Sequence, residues 1–105
     1  MKIVRLNLFT LPNQALSFED DNNFYTLRIY QNKENTTLCD ITINDISVVN
    51  GVAIQPNQPI IPYIYLCKDG NFFITTSTDD DEIDYKKFGI NQFLYFGYFE
   101  WLRLI

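Results

Sequence analysis

The chain has 105 residues, with no histidine, two cysteines, two alanines and four glycines that stand singly. Each shortage removes a class of explanation. Without histidine, the usual proton shuttle at neutral pH and the commonest zinc ligand are both missing. Gly51, Gly70, Gly89 and Gly97 are too dispersed to form a phosphate-cradling loop. Cys39 and Cys67 form no C-x-x-C pair, so reduced, buried thiols are expected rather than a disulfide. Only Ala15 and Ala53 are alanine, which weakens any helical reading. No apolar run approaches the ~20 residues of a membrane-spanning helix. Arg5 and Asn7 interrupt the first such run, which also argues against a signal peptide.

Positive charge is scarce as well. Eight Lys and Arg face thirteen Asp and Glu, a net charge of -5. The cations Lys2, Arg5, Arg28, Lys33, Lys68, Lys86, Lys87 and Arg103 are scattered, so nucleic-acid phosphates are repelled rather than gathered. An acidic, solvated surface is the plain reading, and an acidic mimic of DNA the sharper one.

Side chains branched at Cβ and aromatic rings are abundant; both suit pleated sheets. Ile3 to Phe9 alternates, with Val4, Leu6 and Leu8 on one side and Arg5 and Asn7 on the other. Pro12-Asn13-Gln14 breaks this run, Leu16 to Phe18 resumes it, and Glu19 to Asn23 reads as a polar turn. Phe24 to Gln31 is a second strand, with Tyr25, Leu27 and Ile29 facing inward. Thr37 to Ile43 and Ile46 to Val49 flank Asn44-Asp45, a pair that tolerates positive φ and so predicts a tight hairpin. Asn50-Gly51 predicts a turn or bulge before Val52 to Ile54.

Pro56, Pro59 and Pro62 fall within seven residues and make a stiff, non-helical strap from Gln55 to Pro62. Ile64 to Cys67 and Phe72 to Thr76 then flank Asp69-Gly70, a further hairpin signal. Phe93 to Phe99 is a last strand candidate. The sum is a single domain over 1–105, all-β: a small barrel or sandwich of about seven to nine short, mainly antiparallel strands.

The order of these pieces resembles a family of small phage proteins, the cyanophage-type baseplate plugs of contractile tails. The residues that carry the resemblance are Asn7 to Gln14, Tyr25 to Tyr30, Leu38 to Ile41, Ile43 to Asp45 with Gly51, Pro59 to Tyr63 with Tyr65-Leu66, Gly70 to Phe72, Asp84-Tyr85 and Phe88-Gly89. The match runs from about Leu6 to about Tyr95, and nothing is carried over to the aromatic tail beyond it. The resemblance implies a β-rich structural subunit near the tail axis, in the baseplate of the virion, made and assembled in a bacterial cytoplasm. There it would plug or lock hub, tail-tube and spike proteins before contraction, as part of a symmetric assembly.

No catalytic constellation, cofactor site or metal set accompanies this pattern. Ser17, Ser47 and Ser77 have no histidine partner, and the carboxylates fall mainly in turns. No enzymatic activity, cofactor, small-molecule substrate, nucleic acid or membrane is therefore expected. Two segments stand out as candidate interface. Asp79, Asp80, Asp81 and Glu82 form the one dense charge cluster, whose plain reading is a solvated loop; the EF-hand pattern for calcium fails there. The C-terminal segment 93–105 is dense in aromatics, and Phe96, Tyr98, Phe99, Trp101 and Arg103 either close the protein's own sheet or anchor a partner. Two other functions are compatible with the sequence: a free acidic inhibitor or binding module acting on a host protein, and a small-barrel nucleic-acid binder that stacks bases on Tyr25, Tyr63, Tyr65 and Phe73.

Overall fold

A computed structural model describes residues 3–20, 22–62, 70–78 and 81–97. Seven strands are present: β1 (Ile3–Leu6), β2 (Asn13–Asp20), β3 (Asn23–Gln31), β4 (Thr37–Ile43), β5 (Ile46–Ala53), β6 (Asn71–Thr75) and β7 (Phe93–Gly97). They form two antiparallel sheets, one ordered β2-β3-β4-β5 and the other β1-β7-β6. The sheets face each other and are not closed into a barrel. Of the two expected forms, the sandwich is the one observed.

Alternation places the core. Tyr25, Leu27 and Ile29 of β3 are 1%, 0% and 1% exposed, and Cys39 and Ile41 of β4 lie beside them. Phe72 and Ile74 of β6 and Leu94 and Phe96 of β7 meet them from the opposite sheet. Aromatic rings bridge the layers: Tyr25 meets Phe72 edge-on at 5.4 Å and Phe96 at 4.9 Å, while Phe18 lies 5.1 Å from Phe96. Such pairs add about 0.5–1.5 kcal/mol each beyond the area they bury. Gly70 has φ +141°, and a Cβ there would collide with the Phe96 ring, so backbone and aromatic core constrain each other at this point.

The β4–β5 hairpin turns on Asn44 and Asp45, at φ 53° and 67°, the conformation that a two-residue hairpin with matched twist requires. Asn44 also fastens this turn to β3: its N–H donates to the Phe24 carbonyl at 2.8 Å, and its side-chain oxygen accepts from the Phe24 N–H at 2.9 Å. The expected break at Gly51 is a bulge inside one continuous strand rather than a gap between two. Gly51 has φ +71°, the β4–β5 register shifts nearby, and the Gly51 N–H donates to the Asp40 carboxylate at 2.6 Å.

The proline strap is a lid. Asn57, at φ 58°, donates its N–H to the Ile74 carbonyl, and Ile60 donates to Phe72, so the strap runs along the outer edge of β6. Pro59 bridges to Phe73. Ile54, Ile60 and Ile61 point into the core at 5%, 3% and 2% exposure. Buried Asn71 pins the strap's end: its amide oxygen accepts from the N–H groups of Ile61 (3.0 Å) and Phe72 (2.7 Å), and its amide nitrogen donates to the Ile61 carbonyl (3.0 Å). A proline-rich segment cannot form a full ladder, because proline has no N–H to donate. Asparagine side chains supply what the strap's own backbone lacks.

Three expected boundaries differ, the first being the polar turn over Glu19 to Asn23: β2 runs on to Asp20 and β3 begins at Asn23. β1 ends at Leu6, so Asn7 to Phe9 lie outside the strand. The break at Pro12 is shorter than expected, with Asn13 and Gln14 already in β2. Tyr85 to Lys87 form one 3-10 turn, capped by the Asp84 side chain accepting from the Lys86 N–H. The expected strand at Ile64 to Cys67 lies outside the described residues, as do Tyr98 and Phe99 beyond β7.

Candidate interface surfaces

Where the chain leaves β1, residues 7–12 form a projecting loop. Its shape comes from Gln14, which is 8% exposed at the start of β2. The Gln14 amide oxygen accepts from the Phe9 N–H at 2.9 Å, and its amide nitrogen donates to the carbonyls of Phe9 (2.7 Å) and Leu11 (3.0 Å). Three hydrogen bonds from one buried side chain hold Phe9 and Leu11 outward, at 66% and 51% exposure. Ile90 stands 70% exposed beside Gly89, whose Cβ position lies 3.4 Å from the Leu8 carbonyl. A cleft of about 320 Å³, lined by Leu6, Leu8, Phe9 and Phe93 together with the polar Asn7 and Gln92, opens at the same place. Arg5 forms its rim, its guanidinium 3.9 Å from the centre of the Phe93 ring. Large apolar side chains held rigidly in water are the usual form of a contact surface.

The outer face of the four-stranded sheet is polar by contrast. Arg28 lies 4.2 Å over the Tyr30 ring and 3.7 Å from the Asp40 carboxylate, and the Tyr30 hydroxyl donates to that carboxylate at 3.0 Å. Burial and the hydrogen bond to Asp40 raise the Tyr30 pKa. The carboxylate thus serves the bulge at Gly51 and the neighbouring strand together. On the inner face, Cys39 is a free, buried thiol whose pKa is pushed up to about 12 by burial and then by the Asp40 charge, which disfavours the thiolate at neutral pH.

The model of the cyanophage baseplate Pam3 plug gp18 family matches residues 1–99. The chain belongs to that family. No curated protein matches it. Family membership gives the surfaces above their meaning: a baseplate plug is a structural part that works through contacts with other baseplate proteins. That role fits the expectation of a protein that is not an enzyme. Among the described residues, no group of three acidic or cysteine side chains is placed to hold a metal ion, and no helix is long and apolar enough to cross a membrane.

Of the residues expected to form the plug's interface, Phe96, Asp81 and Glu82 are described, and they stand in different settings. Phe96 sits in the core at 3% exposure, packed among Phe18, Tyr25 and Phe72, so this part of the aromatic segment closes the protein's own sandwich. Tyr98, Phe99, Trp101, Arg103, Asp79 and Asp80 lie outside the described residues. Asp81 is not a freely solvated loop charge. It pairs with Lys87 at 2.7 Å, with side chains 39% (Lys87) and 17% (Asp81) exposed, and accepts from the fully buried Gln92 at 3.3 Å. Gln92 also donates to the Glu82 carbonyl at 2.6 Å and accepts from the Asp84 N–H at 3.0 Å, which fixes this stretch against the core. The bonds from Lys87 and Gln92 hold the Asp81 carboxyl below its ordinary pKa. Glu82 is exposed, and with Glu34, Thr37 and Pro56 it lines a cleft of about 580 Å³. Tyr25, considered as a base-stacking ring, is 1% exposed and unavailable for that purpose.

The projecting loop was missed by alternation, although a signal existed. Phe9 falls on the same parity as Arg5 and Asn7, so an inward strand could not have buried it.

Proposed function

We propose that this chain is a plug of a contractile phage tail baseplate, seated near the tail axis against hub, tube and spike proteins and locking them before contraction. It is synthesised in the host cytoplasm and joins a symmetric assembly there. The family match over residues 1–99 carries this reading. The physical form supports it: a rigid sandwich presents apolar side chains on a pinned loop beside polar outer surfaces. A lock that must also release combines both kinds of contact, since apolar anchors give affinity and polar rims set register and partner.

Quantitative mass spectrometry of purified particles, with tails extended and contracted, tests the proposal. A low, fixed copy number in extended particles is the expected result. Loss on contraction would mark a plug that departs, and retention one that shifts in place. Absence from intact particles, with the protein abundant in infected cells, would sink the baseplate reading and favour a free inhibitor.

A further inference from the structure

We propose that β2 is completed in the assembled baseplate by an extended strand of a different protein chain, alternating apolar and polar side chains and carrying Lys or Arg opposite Glu19. This rests on the baseplate reading above.

β2 is eight residues long and pairs with β3 in unbroken register from Asn13↔Tyr30 to Asp20↔Asn23. On the other side of β2, no described strand pairs with residues 13–19. The outer edge of β6, in the opposite sheet, is covered by the strap. A long, regular, open edge presents N–H and C=O groups as a template for another strand. Of the usual guards, β2 lacks proline, lysine and a bulge, and its charged residues, Glu19 and Asp20, are confined to one end.

Side chains agree with the backbone. Leu16 and Phe18 point to the inner face yet remain half-buried, whereas Leu27, paired with Leu16 on β3, is 0% exposed. A further strand would lay apolar residues beside Leu16 and Phe18 and finish the core there. The loop at 7–12 does not fill this place, because Gln14 holds it through its own hydrogen bonds.

Charge selects the partner. On the outward face β2 shows Asn13, Ala15, Ser17 and Glu19, and Glu19 stands opposite Phe24 rather than a cation. A second copy of this chain would bring another net charge of -5 to the seam. A basic strand of another protein gains from Glu19, and main-chain pairing supplies the affinity.

The test places a photoreactive side chain singly at Ala15, Ser17 and Glu19 in the full chain and irradiates the assembled particles. The expected result is a ladder: crosslinks to one segment of one other protein, stepping two residues along that segment from each site to the next. Crosslinks to a second copy, crosslinks scattered over several segments, or none in particles that contain the chain would overturn the inference and leave the baseplate reading standing. Absence of the chain from particles would remove both. Glu19→Lys separates charge from fold: loss of incorporation with an unchanged melting temperature supports the basic partner, and normal incorporation overturns it.

Discussion

The two flanks of the sandwich are built in opposite ways. On the strap flank, the edge of β6 is covered by a proline-rich segment whose isoleucines are buried and whose hydrogen bonds come from Asn57 and Asn71. On the β1–β2 flank, no described strand covers the outer edges, and a glutamine holds two apolar side chains out in the water. Both flanks rely on buried or half-buried amides, because an amide side chain both donates and accepts and so can satisfy irregular backbone. The difference lies in what the amide presents. Asn71 draws Ile61 into the core, whereas Gln14 holds Phe9 and Leu11 away from it. The strap flank is finished by folding, and the β2 flank is the one proposed above to be finished by assembly.

Substitutions can break this contrast. The largest effect is expected from Ile61→Ala, which hollows the strap flank and should cost about 2–5 kcal/mol, read from urea unfolding. A loss of only a few tenths would mean that the strap is not part of the core. Asn71→Ala comes next. It strips partners from the Ile61 N–H and carbonyl and the Phe72 N–H, and leaving buried backbone groups unsatisfied costs about 1–3 kcal/mol. Asn71→Asp would keep the accepting oxygens and lose the bond to the Ile61 carbonyl, so its unfolding midpoint should fall between those of wild type and Asn71→Ala.

A smaller, pH-dependent effect is expected at Asp81. Its folded pKa is lowered, so its contribution is present above the ordinary aspartate range and disappears as the pH falls through the lowered value. Lys87 is raised by the same bond, so its contribution holds below the ordinary lysine range and is lost as the pH rises through the raised value. Asp81→Asn should therefore flatten the acid limb of the stability curve while changing little once wild-type Asp81 is itself protonated. An acid limb identical to wild type would show that the pair contributes nothing.

The smallest effect on stability is expected on the open flank. Phe9→Ser and Leu11→Ser remove exposed side chains and should shift stability by no more than about 0.5 kcal/mol. Their cost should appear in assembly, as reduced incorporation into particles. Unfolding of either variant, or full incorporation of both, would show that the loop is not a contact surface.

Local signals made much of the fold legible in the sequence. Tyr25, Leu27 and Ile29 alternate, and a half-buried strand has only one way to place them. Asn44-Asp45 announced its turn because few residues accept positive φ in succession. The candidate interface was far less legible. Phe96 and Trp101 share an aromatic run in the sequence, and only the pairing of β7 between β1 and β6 puts the Phe96 ring inside. In the sequence Asp81 is indistinguishable from its acidic neighbours, and only the fold sets Lys87 and Gln92 against it.

Composition, alternation and turn chemistry therefore determined by themselves that this chain is an all-β domain with a proline strap, and the order of its motifs pointed to the baseplate plugs. Tertiary structure alone decided which amides are buried, which flank the strap seals and which edge no described strand covers. The physical reason is range. Strand period and turn preference are set by neighbours within a few residues, whereas the partners of Gln92 and Asn71, and the open side of β2, depend on segments that meet only after the sheets have packed.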